Sequence, residues 1–470
     1  MANNTVTRLG IGIDFGTTNT AAAVYDGQRV RLIELDPPAQ IMPSATYIDS
    51  ELQTLTGQAA IDRYISDNVG RTVELVSEVV AESTLMVGDP DPEGRRPVET
   101  LTQKVYGQPV RDCGLPGRLF RGVKRLLGDP NVRRLMVFDH PFRLVALITP
   151  ILLHVRKEIE AQHGPIARAW VGHPVKFEGR DLHRDKLALT RLGEAYGHAG
   201  IKEHVFYPEP IAAAVSYLET HPDEAGRCVL TVDFGGGTLD FSVLRTKAST
   251  FDVIATHGVA LGGDHIDQRL FRELLFPELG KGEIWRRRGF DKQEIETLFP
   301  FEDYEDLIIN WAVTYLLNQN KYTTPMMDCI AQGGPSAHKF KRLRELIQQN
   351  LSYSVFQSIK DFKAALSSAE SAVLDIPEID VEIHLTRARF EVLIDDLLQQ
   401  FTRGVEDTLD KSGLEPASID LVLRTGGSSL IPAVRRILEQ RFPGRVVEHD
   451  PFTSVAAGLA IADYRNHRYG

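Results

Sequence analysis

Cysteine is scarce: Cys113, Cys228 and Cys329 lie far apart in 470 residues and none forms a CxxC pair. Such thiols cannot build a disulfide framework, so a reducing compartment is expected. A Walker-type GxxxxGK[ST] run is missing too, which disfavours a P-loop ATPase. The longest apolar stretch, Leu144 to Val155, is short and contains Pro150, so it cannot cross a bilayer as an uninterrupted helix. The opening residues, MANNTVTRLGIGID, lack a basic start, an apolar core and a small-residue cleavage site. No signal peptide is therefore expected, and a cytoplasmic protein is. Positive charge is also short. A formal net charge of −11 gives no electrostatic reason to bind nucleic acid or an anionic membrane, so neither is expected as a partner. Basic stretches such as Arg286–Arg288 and Lys341–Arg344 read as solvated helix faces. No low-complexity tail or proline-rich linker is present.

What is present is ordinary globular composition. Hydrophobic residues make up 43% and charged residues 25%, which excludes a mostly disordered chain. The length calls for about two to four folding units. Three segments read as an apolar strand running into a glycine-rich turn: Leu9 to Val24, Cys228 to Leu244, and Asp420 to Ser429. Between them the chain reads mostly as helix, over Leu144 to Glu160 with a start or kink at Pro150, Ile211 to Glu219, and Phe390 to Leu409. After the third segment Ile431, Val434 and Leu438 give a helix one apolar face. VGDPDPEGRRP, Val87 to Pro97, reads as a loop broken by proline and glycine.

The first two glycine segments use one design twice. Each strand ends in Asp-Phe-Gly, passes through small or hydroxylated residues and starts a second apolar strand, which suggests two similar lobes facing each other. In DFGTTNT, Gly16 lets an anion approach the backbone, Thr17 and Thr18 add hydroxyls, and Asp14 can hold a magnesium ion through water. Alone, this segment is equally a plain β-hairpin. In DFGGGTLD the three glycines Gly235, Gly236 and Gly237 sacrifice packing and entropy, so some backbone there must approach something closely. A bulge or barrel corner is the structural alternative. Thr238 and Asp240 add a hydroxyl and a second carboxylate beside Asp233. TGGSS, Thr425 to Ser429, precedes a helix and suits an anion, although GGS is also a common strand-to-helix connector.

In this order and spacing, IGIDFGTTNT, VDFGGGTLDFSVL and RTGGSSLIPAV resemble the two phosphate motifs and the adenosine motif of the actin-like ATPase superfamily. FRGVKRLLGDP, YPEPIAAAVSYL, LGGDHIDQRL, FKAALSSAES and LTRARFEVLIDDL narrow the resemblance to the heat-shock protein 70 (DnaK-type) family, across essentially the whole chain. The resemblance implies an α/β fold of two ribonuclease-H-like lobes flanking a nucleotide cleft. The first lobe would run over 1–227, with an enlarged insertion about 36–130, and be completed by 448–470. The second would span 228–447, with a helical insertion about 266–370.

It further implies a slowly ATP-hydrolysing, chaperone-type switch using ATP or ADP and Mg2+, with a protein client or co-chaperone as partner. Lys124, Glu209, Asp233 and Thr238 would be catalytic, and Asp14, Asp233 and Asp240 would hold Mg2+ through water. Asp14, Gly16, Thr17, Thr18, Asn19, Gly235, Gly236, Gly237, Thr238, Gly263, Lys363, Ser367, Gly426, Gly427 and Ser428 would bind the nucleotide. Without the resemblance, Lys124 reads as a helix-surface lysine beside Arg121 and Arg125, and Glu209 as a carboxylate favoured at a helix N-terminus. The chain departs from the family at Leu430 and Ala364, where arginines are usual, and at Lys360, where a glutamate is usual. It is longer than usual around Ile65 to Gly117 and lacks the family's hydrophobic linker and peptide-binding domain, so peptide clamping is not expected to carry over. Alternatives are a nucleotide-dependent actin-like assembly protein, a small-molecule kinase and a non-hydrolysing nucleotide-binding scaffold.

Overall fold

Two mixed sheets with the same strand order organise the molecule. The computed structural model describes residues 8–73, 75–87, 99–112, 114–177, 183–222, 226–247, 251–288 and 293–467. In the first lobe the order is Glu203–Pro208, Arg168–His173, Gly10–Phe15, Asn19–Tyr25 and Val30–Leu32, with Ile41–Pro43 also paired to Asn19–Tyr25. In the second it is Val446–Glu448, Leu421–Thr425, Cys228–Phe234, Leu239–Thr246 and Phe251–Val259. In each sheet the central strand pairs antiparallel with the strand after its hairpin and parallel with a strand from much later in the chain.

The central strands GIGIDF and CVLTVDF are buried almost throughout, as expected of strands covered on both faces. On one side of the first sheet, Ile11, Ile13 and Phe15 share a core with Leu147, Ile151 and Val155 of the helix Leu144–His163. That helix runs through Pro150 and starts at Leu144. The core of the second lobe joins Leu230, Val232 and Phe234 to Phe401 and Val405 of the helix Asp395–Ser412.

Between the sheets lies a shared layer of two helices, Glu209–Thr220 and Ser454–Arg465, whose cluster takes in Trp170 and Tyr207 from one sheet and Val229 and Leu423 from the other. Their crossing is very close. A Cβ on Gly458 would lie 1.7 Å from the Ala212 carbonyl oxygen, so only glycine allows the contact. The carboxylate of Asp463, from the second of these helices, accepts a hydrogen bond from Ile11 N at 2.9 Å and tethers it to the first strand.

The expected helix over Phe390 to Leu409 is two helices, Arg387–Leu393 and Asp395–Ser412, broken at Ile394. Arg286–Arg288 lies on a strand, Ile284–Arg288, rather than a helix face; Lys341–Arg344 does lie on a helix, Ala337–Gln348. The extra length of the first lobe contains the helix Gly57–Asn68 and a long antiparallel hairpin, Leu75–Val87 with Glu99–Asp112. Most of the loop read at Val87 to Pro97, and Cys113, lie outside the described residues. Among the described residues no helix is long and apolar enough to cross a membrane.

Candidate functional site

The two Asp-Phe-Gly hairpins meet face to face. Their turns have the same construction: Gly16 N donates to Asn19 O at 2.9 Å, and Gly235 N to Thr238 O at 3.0 Å. Each turn is braced from behind. Ser44 Oγ donates to Gly16 O at 2.8 Å in the first lobe, and Ser428 Oγ to Gly235 O at 3.0 Å in the second. The turns come so near that a Cβ on Gly236 would sit 2.2 Å from Thr18 Oγ1. The opposite hairpin thus leaves no room for a side chain at 236 unless Thr18 moves, a reason for glycine there that a barrel corner does not supply. Gly426 has φ +81° and packs against the backbone of Phe234, so the GGS turn also rests on the second hairpin. The helix after it begins only at Pro432, with a 3-10 turn, Gly427–Leu430, between, so its N-terminus does not face the glycines directly.

A cavity of about 390 Å3 opens between the lobes, and both Asp14 and Asp233 line it. So do Gly16, Thr17, Thr18, Asn19, Lys124, Glu209, Gly235, Gly236, Gly237, Thr238, Gly263, Lys363, Gly426, Gly427 and Ser428. Two of the expected residues do not. Ser367 Oγ donates to Lys363 O, one turn back in its own helix, at 3.2 Å. Asp240 is 1% exposed, stands in register opposite Asp233, and accepts from Val175 N at 3.0 Å.

The deep end of the cavity is electrostatically lopsided. Lys124 is 4% exposed, which excludes its reading as a surface lysine, and its Nζ lies 2.7 Å from Glu209 Oε1. Burial alone would lower the Lys124 ammonium, but Glu209, Asp14 and Asp240 together hold it above its ordinary value. Glu209 opens its helix just before Pro210, so the N-terminal carboxylate reading also holds. Around that one cation stand four carboxylates, counting Asp14, Glu209, Asp233 and Asp240. Burial, followed by repulsion from Glu209, pushes Asp14 and Asp233 well above the usual range and Asp240 up to about 8. Buried carboxylates in such excess suit a divalent cation, which would offset the desolvation that now penalises their charge. Among the described residues no three candidate ligands come close enough to hold an ion directly. An ion at Asp14 and Asp233 would therefore complete its shell with water or with oxygens of a ligand.

The outer end is different. Lys360, Lys363 and Ala364 of the helix Ser352–Ser368 form one wall, and Phe452 stands near Gly427 on the other. Phe452 is 45% exposed, unusual for an aromatic ring. Leu430 does not line the cavity. Lys360 Nζ is 3.3 Å from Asp264 Oδ1, and Lys363 Nζ is 2.6 Å from Asp267 Oδ1 in an ion pair off the hydrogen-bond direction. Arg125 Nη1 reaches across the lobes to Asp264 Oδ2 at 3.0 Å. Burial works against the Asp264 charge, but Lys360, Arg125 and Lys363 outweigh it and hold the carboxyl below its usual value. Sequence reasoning missed Arg125, Asp264, Asp267 and Phe452. The two aspartates stood inside LGGDHIDQRL, whereas nothing in the sequence marks Phe452.

A family model described as "Hsp70 protein" matches residues 143–283 and 340–463. The matched segments hold Glu209, the second hairpin, Lys363 and the GGS turn; the first hairpin and Lys124 lie outside them. The chain is similar to the heat shock 70 kDa protein BIP3 of Oryza sativa subsp. japonica, at 27% identity over 458 residues, 96% of this chain and 56% of the relative. The chain thus spans about half the length of the curated relative it matches.

Proposed function

This chain belongs to the Hsp70 family, and from that premise we propose that it is a nucleotide-driven two-lobe switch that binds Mg-ATP in the cleft and hydrolyses it slowly. Members of the family are ATPases that bind ATP or ADP with Mg2+. One observation carries the reading: a buried Lys124–Glu209 pair sits between two carboxylate-bearing hairpins that face one cavity. Phosphoryl transfer asks little covalent chemistry of a protein; positioned charge and an oriented water do most of the work.

The residues divide that work plainly. The N–H groups and hydroxyls of the two turns, Thr17, Thr18 and Thr238 among them, hold the phosphates. Asp14 and Asp233, with Asp240 behind them, would hold Mg2+ through water, and the ion would supply neutralisation of phosphate charge. Lys124 stabilises the charge that develops on the transferred group. Glu209 fixes the Lys124 ammonium and orients the attacking water. Residues 1–227 with 448–470 form one moving unit and 228–447 the other, joined through the helices Glu209–Thr220 and Ser454–Arg465. Loss of the terminal phosphate removes a bridge between the hairpins and changes the lobe angle, which a protein client or co-chaperone reads.

Phosphate release by the wild type and by Lys124→Ala tests the mechanism. Equal rates above background would remove Lys124 from it. The lobes are also tied at the cleft mouth by Arg125 and Asp264, which favours a second reading, a nucleotide-binding scaffold without turnover. Tight Mg-ATP binding with no phosphate released above background would select it.

A further inference from the structure

Beyond the cleft, the seam between the lobes encloses a second cavity of about 540 Å3, larger than the first and sharing only Arg125 with it. A narrower space of about 120 Å3, lined by Thr18, Arg121, Arg125 and Trp311 among others, lies between the two. Both lobes build the second cavity. Tyr64, Arg118 and Phe120 come from the first, and Trp311, Tyr315 and Asn350 from the second. Tyr64 and Trp311 of its lining belong to an aromatic contact across the seam. The Tyr64 ring stands edge-on to Trp311 at 5.8 Å and to Tyr353 at 5.4 Å, while Trp311 meets Tyr353 at 5.0 Å. Gly70 N also donates to Gln349 O at 2.9 Å, backbone to backbone between the lobes.

The charge of this cavity is opposite to that of the chain. In a protein of net charge −11, four arginines line it, Arg71, Arg118, Arg121 and Arg125, against one carboxylate, Asp112. Arg71 is spent on Asp112 and Arg125 on Asp264. Arg121 donates to the Tyr353 hydroxyl at 3.0 Å. Arg118 lies over the Phe138 ring at 5.7 Å, and its Nε is buried without a partner among the described residues. Among the described residues neither Arg118 nor Arg121 has a carboxylate beside it. Guanidinium groups next to aromatic walls recognise a planar body by stacking and an anionic head by paired hydrogen bonds.

We propose that this cavity is a second ligand site, taking a small molecule with an anionic head on a planar aromatic body, whose occupancy holds the two lobes together. The occupant contacts both lobes and so favours the arrangement in which they are closed. A nucleotide that bridges the two hairpins favours the same arrangement, and by linkage the two then raise each other's affinity by the same factor.

The probe is 8-anilinonaphthalene-1-sulfonate, an anion on fused aromatic rings, titrated into the full chain with and without saturating Mg-ADP. One dye should bind per chain, with energy transfer from tryptophan that Trp311→Phe largely removes. Arg118→Glu should weaken the dye roughly ten-fold or more, and Arg118→Gln less, with Mg-ADP affinity and melting temperature retained. Absence of binding, or binding indifferent to both Arg118 variants, overturns the proposal. So does displacement of the dye by Mg-ADP, which would put it in the cleft. Failure of Mg-ADP to bind at all counts against the nucleotide reading and leaves the dye measurement standing.

Discussion

The deep and outer ends of the cleft are built on opposite plans. At the deep end four carboxylates crowd one lysine: Lys124, Glu209 and Asp240 are buried, Asp14 and Asp233 open on the cavity, and the three aspartates sit on strands of the two hairpins. At the outer end Lys360 and Lys363 meet a half-exposed ring, Phe452, and every group is a side chain delivered by a distant element. The deep end holds an excess of acidic groups that a divalent cation would relieve, and the cation would in turn let a phosphate chain approach. The outer end is paired instead, with three cations on two carboxylates: Lys360 and Arg125 share Asp264, and Lys363 lies against Asp267. Affinity and chemistry should therefore reside at the first, and choice of base at the second.

The largest effect should come from Lys124→Ala. Among the described residues it removes the one cation that the four carboxylates surround, so phosphate release should fall by roughly a hundred-fold or more. It also leaves Glu209 buried and unpaired, a change that costs about 3–5 kcal/mol in comparable buried pairs. The double variant Lys124→Ala, Glu209→Gln should recover much of the stability and none of the turnover. Thermal melting beside single-turnover phosphate release separates the two. Recovery of turnover would show that the deep end acts through packing and not through charge.

Protonation should sharpen the contrast next. Asp240 titrates at about 8 in the folded chain, and Asp14 and Asp233 are raised in the same direction. An acid whose pKa is higher folded than unfolded keeps extra protons in the native state, so its contribution to stability is fully present below the unfolded pKa and is lost as pH rises through the folded one. Partly buried histidines such as His173 and His449, held below their ordinary value, pull the other way, so the carboxylates' share is read by comparing the metal-free wild type with Asp233→Asn. The wild type should lose melting temperature relative to the variant between pH 5 and pH 8. Saturating Mg-ADP should shrink that difference. A metal-free wild type that gains on Asp233→Asn as pH rises across that range would contradict the charge surplus.

These two ends also differ in how far the sequence revealed them. A strand that ends in Asp-Phe-Gly fixes its aspartate, glycine and hydroxyls within a few residues of one turn, so the deep end could be read from local pattern. Lys124 and Glu209 could be located only by resemblance, because their neighbours in the chain are not their neighbours in space. The repeated hairpins suggested paired lobes, but the matching parallel strands, Arg168–His173 and Leu421–Thr425, come from too far along the chain to be paired by pattern. At the outer end little was legible. Ser367 has the right residue type and turns its hydroxyl back to its own helix. Phe452 sits in EHDPFTS with no periodicity to distinguish it, and only the fold brings it beside Gly427.

A smaller effect should follow Phe452→Ala. If the ring stacks on the base, Mg-ATP affinity should fall by about 1–3 kcal/mol, the range for aromatic stacking on bases. Mg-GTP should weaken about equally, since every base offers a π-face, and binding of Mg-tripolyphosphate should not change. Phe452→Tyr should restore ATP affinity. The ring is half exposed, so the melting temperature should hold. An equal loss for tripolyphosphate would place Phe452 in the phosphate machinery and erase the distinction between the two ends.

The smallest change should come from Arg125→Ala, which cuts the ion pair that Arg125 throws across the lobes to Asp264. Both side chains are about a fifth exposed, so solvent screens the pair and its worth is about 1 kcal/mol or less. Asp264 keeps Lys360, so no buried charge is left alone. The cut therefore loosens the mouth without emptying the deep end. Mg-ADP should leave a few-fold faster while single-turnover hydrolysis stays within about two-fold of wild type. Raising the salt concentration should speed release more in the wild type than in the variant, because the wild type has one more partly exposed pair across the lobes to screen. If hydrolysis fell as far as in Lys124→Ala, Arg125 would belong to the deep end, and the boundary between chemistry and base choice would have to move outward to the mouth.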